Sequence, residues 1–258
     1  MSWIITGSFA QPDEPEALAY IAAVEAADGE TLEDGVKFAY NSFIKGCKAD
    51  GIWDAIKASC ILAGARTLNG ALVPLAGTAP TNFNFVAGDY NRETGLVGDG
   101  STKYLDSNRN NNADPQNNQH FGVYLSTAGT PSNSTQLYMG GSTSAGGLSL
   151  GISSYQQFSR SQSSSFAFSG VSTSIGLTAV SRSLFTSYIH RSAGFNTSIT
   201  VSSQVPANSS IFVFRQNAGA SLYSNARIAF YSIGESLDLA LLDARVTTLI
   251  NAFAVAIP

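Results

Sequence analysis

From Pro115 to Gly234 the chain contains neither Asp nor Glu. The six basic residues between Arg109 and Arg227 are all arginines, and the five lysines end at Lys103. Only four of the thirty-five serines lie in the first hundred residues. A segment of this kind reads as short alternating strands separated by Gly, Asn, Pro and Ser. Twelve candidates follow: Leu72–Leu75, Phe83–Ala87, Lys103–Ser107, His120–Ser126, Gln136–Met139, Leu148–Ile152, Ser165–Ser169, Ser174–Val180, Leu184–His190, Ser198–Ser202, Ser210–Arg215 and Ala226–Ile233. Many short strands without intervening helices predict a sandwich or jelly roll, not βαβ units. The Asn-rich stretch Ser107–Gln119 and the polar stretch Ser159–Ser165 read as exposed loops.

The chain changes character on both sides of this segment, which predicts a helical module at 1–66, a β-sandwich at 67–234 and a C-terminal helix at 235–258. Asp13-Glu14-Pro15-Glu16 resembles a helix start with Asp13 as cap. Thr31 is placed to cap a second helix, along which Leu32, Val36, Ala39, Tyr40, Phe43, Ile44 and Cys47 recur at helical spacing. A third short helix is predicted from Asp50, carrying Ile52, Trp53, Ile56 and Cys60. At the other end, Leu239, Leu242, Val246, Leu249, Phe253 and Ala256 follow 3-4-3-4 spacing. That stripe either packs back on the sandwich or the N-terminal helices, or forms an oligomer seam through Leu239, Leu242, Val246, Leu249 and Phe253.

Charged residues make up 12% of the chain, about half the usual share of roughly 25%. With a net charge of -4, this excludes a basic nucleic-acid binder. No run reaches ~18 uninterrupted apolar residues, so no membrane span is expected. Cys47 and Cys60 make no disulfide framework and suit a reducing cytoplasm.

Tyr90-Asn91-Arg92-Glu93-Thr94-Gly95-Leu96, then Gly98-Asp99-Gly100-Ser101-Thr102-Lys103-Tyr104-Leu105, the Asn-rich stretch and His120-Phe121-Gly122-Val123-Tyr124 form a pattern. Together with Ile228–Gly234, Leu241–Arg245 and Lys48–Trp53, it resembles the concanavalin A-like, LamG-type domain of tailed-phage virion structural proteins. The resemblance implies a mainly β fold, a LamG-like jelly-roll sandwich with a small N-terminal helical module and a C-terminal helix. It implies a non-enzymatic virion component, made in the host cytoplasm. Such a component is a tail-fibre or tail-associated protein for host attachment, or a capsid decoration protein. Its implied partners are other virion proteins, two further copies in a homotrimer, and a host-surface glycan.

The residues themselves offer little catalytic chemistry. Glycoside hydrolysis needs two carboxyl groups flanking the bond, and the acid-free stretch cannot supply them. His120 and His190 are the only histidines and read as strand residues, with no nucleophile elbow nearby. No cofactor is indicated, and no His or Cys pair has metal-ligand spacing. The Asp106–Asp114 stretch, with Asn108, Asn110 and Asn111, offers some oxygen ligands for calcium. The arginines read either as carboxylate-binding groups or as donors to backbone carbonyls. Loops carry recognition groups on a packed scaffold, so Asn110, Asn111, Tyr155 and Arg160 are the predicted carbohydrate or receptor contacts.

Overall fold

The computed structural model describes residues 11–129, 135–172, 175–218 and 222–258. Its helices are α1 (Pro15–Asp28), α2 (Asp34–Ala49), α3 (Leu68–Ala71) and α4 (Leu239–Ala256). Its strands, in chain order, are β1 (Ile56–Ile61), β2 (Pro74–Ala76), β3 (Thr81–Phe83), β4 (Tyr90–Asn91), β5 (Gly95–Val97), β6 (Tyr104–Asn110), β7 (Gln119–Thr127) and β8 (Gln136–Gly140). They continue as β9 (Leu148–Ser153), β10 (Gln156–Ser161), β11 (Ala167–Ser172), β12 (Gly176–Arg182), β13 (Ser187–Ser192), β14 (Phe195–Thr200), β15 (Ser210–Val213) and β16 (Arg227–Gly234). Two antiparallel sheets form a sandwich. The first runs β14-β13-β12-β7-β16-β1-β2, with β5 on β16 and β4 on β5; the second runs β11-β10-β9-β8-β15-β6-β3.

The expected fold class, a mainly β sandwich flanked by N-terminal and C-terminal helices, is the one observed. The helices lie on the outer face of the first sheet. Val36, Tyr40, Phe43 and Ile44 of α2 join Leu242, Val246, Leu249 and Phe253 of α4 over Ile61, Ala179 and Phe230. Tyr40 meets Phe253 edge-on at 5.4 Å, and Phe43 meets Phe230 at 5.9 Å. Gly64 passes under this contact at φ 86, and a Cβ there would lie 2.5 Å from the Tyr40 hydroxyl. β16 is buried on both faces: Phe230 points to the helices, while Ile228, Tyr231 and Ile233 enter the core between the sheets. Its continuous apolar run, unlike an alternating one, reflects two covered faces.

Several expectations are corrected here. The residues assigned to an oligomer seam, Leu239, Leu242, Val246, Leu249 and Phe253, are 0–2% exposed inside their own chain. The stripe has no free apolar seam to offer two further copies, because α2 and the first sheet already cover it. By length and a mean hydropathy of 1.5, α4 also suffices to cross a membrane. Yet its Asp243 and Arg245 are held by Arg191 and Asp50, at 2.8 and 2.7 Å. The third N-terminal helix is absent: Trp53–Ala55 is a short 3-10 turn, and Cys60 lies on β1, paired with Tyr231 of β16. The first unit therefore contributes a strand to the sandwich. Asp13 does not cap α1; its carboxylate accepts from Asn41 and Lys45. Glu33, not Thr31, precedes α2. β4, β5 and β10 form where the sequence reads as loop or turn.

The predicted long loop at Ser107–Gln119 is largely structure. Ser107 to Asn110 continue β6, Asn111–Ala113 is a 3-10 turn, and Ser107, Asn111, Asp114 and Gln119 are buried. Ser159 to Ser161 belong to β10, and Ser159 through Ser163 are buried. Polar composition misleads in both places because most of these side chains, Asn111, Ser159 and Arg160 among them, bond within the sandwich.

Candidate functional site

Alternation along β10 decides what the second sheet shows to solvent. Gln157 and Ser159 point inward, where they meet Thr178 and His190 of the first sheet. Phe158 therefore points outward, as does Phe168, its directly paired residue on β11. No helix of the first layer reaches this face. Phe158 packs edge-on against Phe166 at 5.1 Å and near Phe168 at 6.0 Å. With Leu137, Leu222, Thr135 and Ser153 these rings line an open pocket of about 270 Å³. No ionisable side chain lines it. Phe166 and Phe168 are 46% and 53% exposed.

The same face continues over β15, β6 and β3. Leu105, Ile211 and Val213 enter the core, so Tyr104 and Phe212 face outward. Phe83 stacks on Tyr104 at 4.3 Å, and Tyr104 meets Phe212 at 4.9 Å. The Arg215 guanidinium sits over Tyr104, Phe212 and Tyr223 at 4.6–5.6 Å, and donates to the Tyr223 hydroxyl. Cation–π attraction holds these rings around the guanidinium, and Phe83 at their margin is 37% exposed.

The four predicted contact residues separate. Tyr155 is 50% exposed at the tip of the β9–β10 hairpin. Ser154 and Tyr155 have φ 48 and 64, a two-residue turn of the kind that favours Asn-Gly. Asn110 is exposed and donates to Asn208. Asn111 and Arg160 are corrections: both are buried, at 0% and 2%. Asn111 donates to the Gly146 carbonyl and accepts from Gln119, so it ties two loops together instead of facing a ligand. Arg160 donates to the carbonyls of Thr143 and Ser142 and lies over Phe166. It supports the pocket wall from beneath.

Arg182 shows the consequence of an acid-free sequence more fully. Its guanidinium is completely buried and donates to the carbonyls of Ser161, Leu184, Phe185, Ser187 and Val201. Burial lowers the pKa of both Arg160 and Arg182, since neither has a carboxylate partner.

One cluster has the residue types of a catalytic site. Ser159 Oγ lies 3.1 Å from His190 Nδ1, and Thr178 Oγ1 lies 3.3 Å from Nε2. Gln157 accepts from Thr178 and Ser192, and Tyr188 donates to the Ser159 carbonyl. Every member is buried between the sheets, and no carboxylate completes the group. Burial pushes His190 down to about 4, so it is neutral at pH 7. The cluster is a buried hydrogen-bond network that substrate cannot reach. At the proposed calcium stretch, Asp114 is already taken by Arg109 and Asp106 by Asn108 and Ser210. Among the described residues no group of three His, Cys, Asp or Glu is placed to hold a metal.

No protein-family model and no curated protein matches the sequence. Solved structures do match in fold. The binding domain of botulinum neurotoxin serotype D aligns at a TM-score of 0.52 and 12% identity, covering 76% of this chain and 51% of that one. The binding domain of serotype D/C VPI 5993 aligns at 0.49 and 14%, covering 78% and 52%. A Trypanosoma rangeli sialidase aligns at 0.49 and 11%, covering 77% and 33%. The chain thus spans about half the length of the neurotoxin binding domains and a third of the sialidase. The serotype D likeness supports the two-sheet β-sandwich fold.

The pocket residues Phe158, Phe166 and Phe168 are not among the contacts that the sequence predicts. The signal it does carry is Phe166-Ala167-Phe168, two aromatics at strand spacing inside a serine-rich segment.

Proposed function

We propose that this chain is a non-catalytic recognition subunit of a tailed-phage virion, tail-associated, which presents the open face of its second sheet to the host surface. The observation that carries this reading is the asymmetry of the sandwich. One outer face carries the helices, packed over β1, β12 and β16, while the other exposes Tyr155, Phe166, Phe168 and the Arg215-centred rings. Aromatic faces stack on sugar rings, and the hydroxyls of Thr135 and Ser153 at the pocket supply hydrogen-bonding groups. The motif resemblance between Tyr90 and Tyr124 supports the virion setting, and the lectin-like fold supports a binding role.

The test is direct. Purified chain should bind host cells and reduce phage adsorption in competition. Phe166→Ser with Phe168→Ser should abolish both effects while leaving the thermal transition cooperative. Gold-labelled antibody against the chain should decorate tails on intact virions. Labelling of the head with unchanged adsorption would replace this reading by a capsid-decoration role.

A further inference from the structure

Among the described residues five strands end the two sheets: β2, the two-residue β4 and β14 in the first, β3 and β11 in the second. Sheets protect such edges by shortness, proline, charge or irregularity, because an open row of N–H and C=O groups templates another strand. β2 and β3 have three residues each, and β2 starts at Pro74. β11 shifts register against β10 between Gln156 and Phe158, and Gly170 within it has φ 74. β14 has none of these devices. Phe195-Asn196-Thr197-Ser198-Ile199-Thr200 pairs with β13 at six consecutive positions without a shift, and contains no proline and no charge.

Val201 N–H donates to the Thr186 carbonyl at 2.9 Å, in register with the β13–β14 ladder. Antiparallel ladders alternate, so Phe195, Thr197 and Ile199 turn their backbone groups toward β13. Asn196, Ser198 and Thr200 turn theirs outward, where no bond is made among the described residues.

We propose that β14 joins two copies of this chain, paired antiparallel about a two-fold axis at Thr197, so that the first sheet continues across the dimer. In this register Asn196 and the partner's Ser198 exchange backbone hydrogen bonds, twice by symmetry. Phe195 lies opposite the partner's Ile199, and Thr197 opposite the partner's Thr197. These are aromatic to β-branched and Thr to Thr pairs, both of stabilising kinds. They fall at non-hydrogen-bonded positions, where side chains approach most closely. The exposed apolar residues fit the same axis. Phe195 opens β14 and is 72% exposed, with Ile175, 70% exposed, just before β12 at the same end of the sheet. Leu184 and Phe185, 58% and 53% exposed, sit beside the other end, where Ser203 N–H reaches the Phe185 carbonyl. A two-fold axis brings the start of each strand to the end of its partner, so the two apolar groups cover each other. An unrelated peptide strand would satisfy the edge without covering both ends. This dimer does not depend on the proposed recognition role.

Thr197→Cys tests the register. A non-hydrogen-bonded pair has Cα atoms about 4.5 Å apart, within the disulfide range of about 4.4–6.8 Å. Cys47 and Cys60 are fully buried and do not compete. Mild oxidation of the full chain should give a covalent dimer for Thr197→Cys and none for Thr200→Cys. Ser198→Pro removes an outward N–H without taking a bond from β13, and should halve the mass in light scattering with circular dichroism unchanged. Should that variant unfold, Thr197→Lys, which sets like charges at the axis, must give the same loss. A monomeric parent chain at micromolar concentration overturns the proposal. So do equal cross-linking of both cysteine variants and a folded Pro or Lys variant that stays dimeric.

Discussion

The space between the two sheets is filled in two different ways. Around β6, β7, β15 and β16 it holds Leu105, Phe121, Val123, Ile211, Val213, Ile228 and Tyr231, all fully buried. Around β10, β12 and β13 it holds Gln157, Ser159, Thr178, His190 and Ser192, equally buried but joined by hydrogen bonds. The first half gains from removing apolar surface from water, about 25 cal/mol per Å². The second gains little from burial and is held by geometry, since each polar group costs free energy unless its partner is present. A non-directional core tolerates small shifts between the sheets, whereas a hydrogen-bonded one fixes them in register. The polar half lies beneath the Phe158 pocket, so the more exacting region supports the candidate binding face.

The sharpest way to break this contrast is to cut a side chain from each half. Phe121→Ala should lower unfolding free energy by about 3–5 kcal/mol, the cost of a large cavity in a packed core, measured by urea denaturation. A loss below about 1 kcal/mol would mean that this half is not close-packed.

Acid should act next most strongly. Burial pushes His120 and His190 from 6.5 down to about 4, so both are neutral in the folded chain. Above pH 6.5 neither state binds the proton and nothing changes. As pH falls from 6.5 toward 4, the unfolded chain takes up protons that the folded chain refuses, and stability is lost across that window. The loss is on the order of 3 kcal/mol per histidine. Urea melts at several pH values should show it, and His190→Gln should flatten part of the slope. An unchanged slope in that variant would show that His190 does not sit neutral in the network.

A single polar deletion should cost less. Gln157→Ala removes the acceptor of Thr178 and Ser192 and should destabilise by about 1–3 kcal/mol. Gln157→Leu should be no better, because Thr178 and Ser192 still lose the acceptor that Gln157 supplies. If Gln157→Leu is more stable than the parent, the polar half is no more exacting than the apolar one. The smallest effect belongs to Tyr155, exposed at φ 64. Tyr155→Gly should raise stability by up to about 1 kcal/mol, because glycine adopts this conformation without a Cβ clash. A weaker attachment to host cells in that more stable variant would show that the strained tyrosine serves binding.

The apolar half is legible in the amino-acid pattern. His120–Ser126, Ser210–Arg215 and Ala226–Ile233 read as strands, and β7, β15 and β16 occupy nearly those spans. The Leu239-to-Phe253 stripe likewise reads as one helix face, and α4 buries it. The polar half is not legible. Ser159, Arg160 and Asn111 carry the composition of surface loops, and only neighbours distant in sequence make their burial tolerable. Ser159 needs Tyr188 and His190, Asn111 needs Gly146 and Gln119, and Arg160 needs Ser142 and Thr143. The pocket escapes a sequence reading for the same reason. Phe158 is one apolar residue beside a polar run until β10 places it next to Phe168.

By itself, the amino-acid sequence determined the alternation that makes strands, the helical stripe of α4 and the absence of carboxylates that leaves the buried arginines to backbone carbonyls. Those properties are local, set by side chains a few residues apart. Tertiary structure alone decided which side of each strand became interior, that α4 buries its stripe against α2, and that one sheet face stays open. Those outcomes depend on contacts between residues far apart in the chain, as where Arg245 meets Asp50 and Ser107 meets Ile211. Hydrogen-bond partners and covered faces exist only once both strands and helices have taken their places.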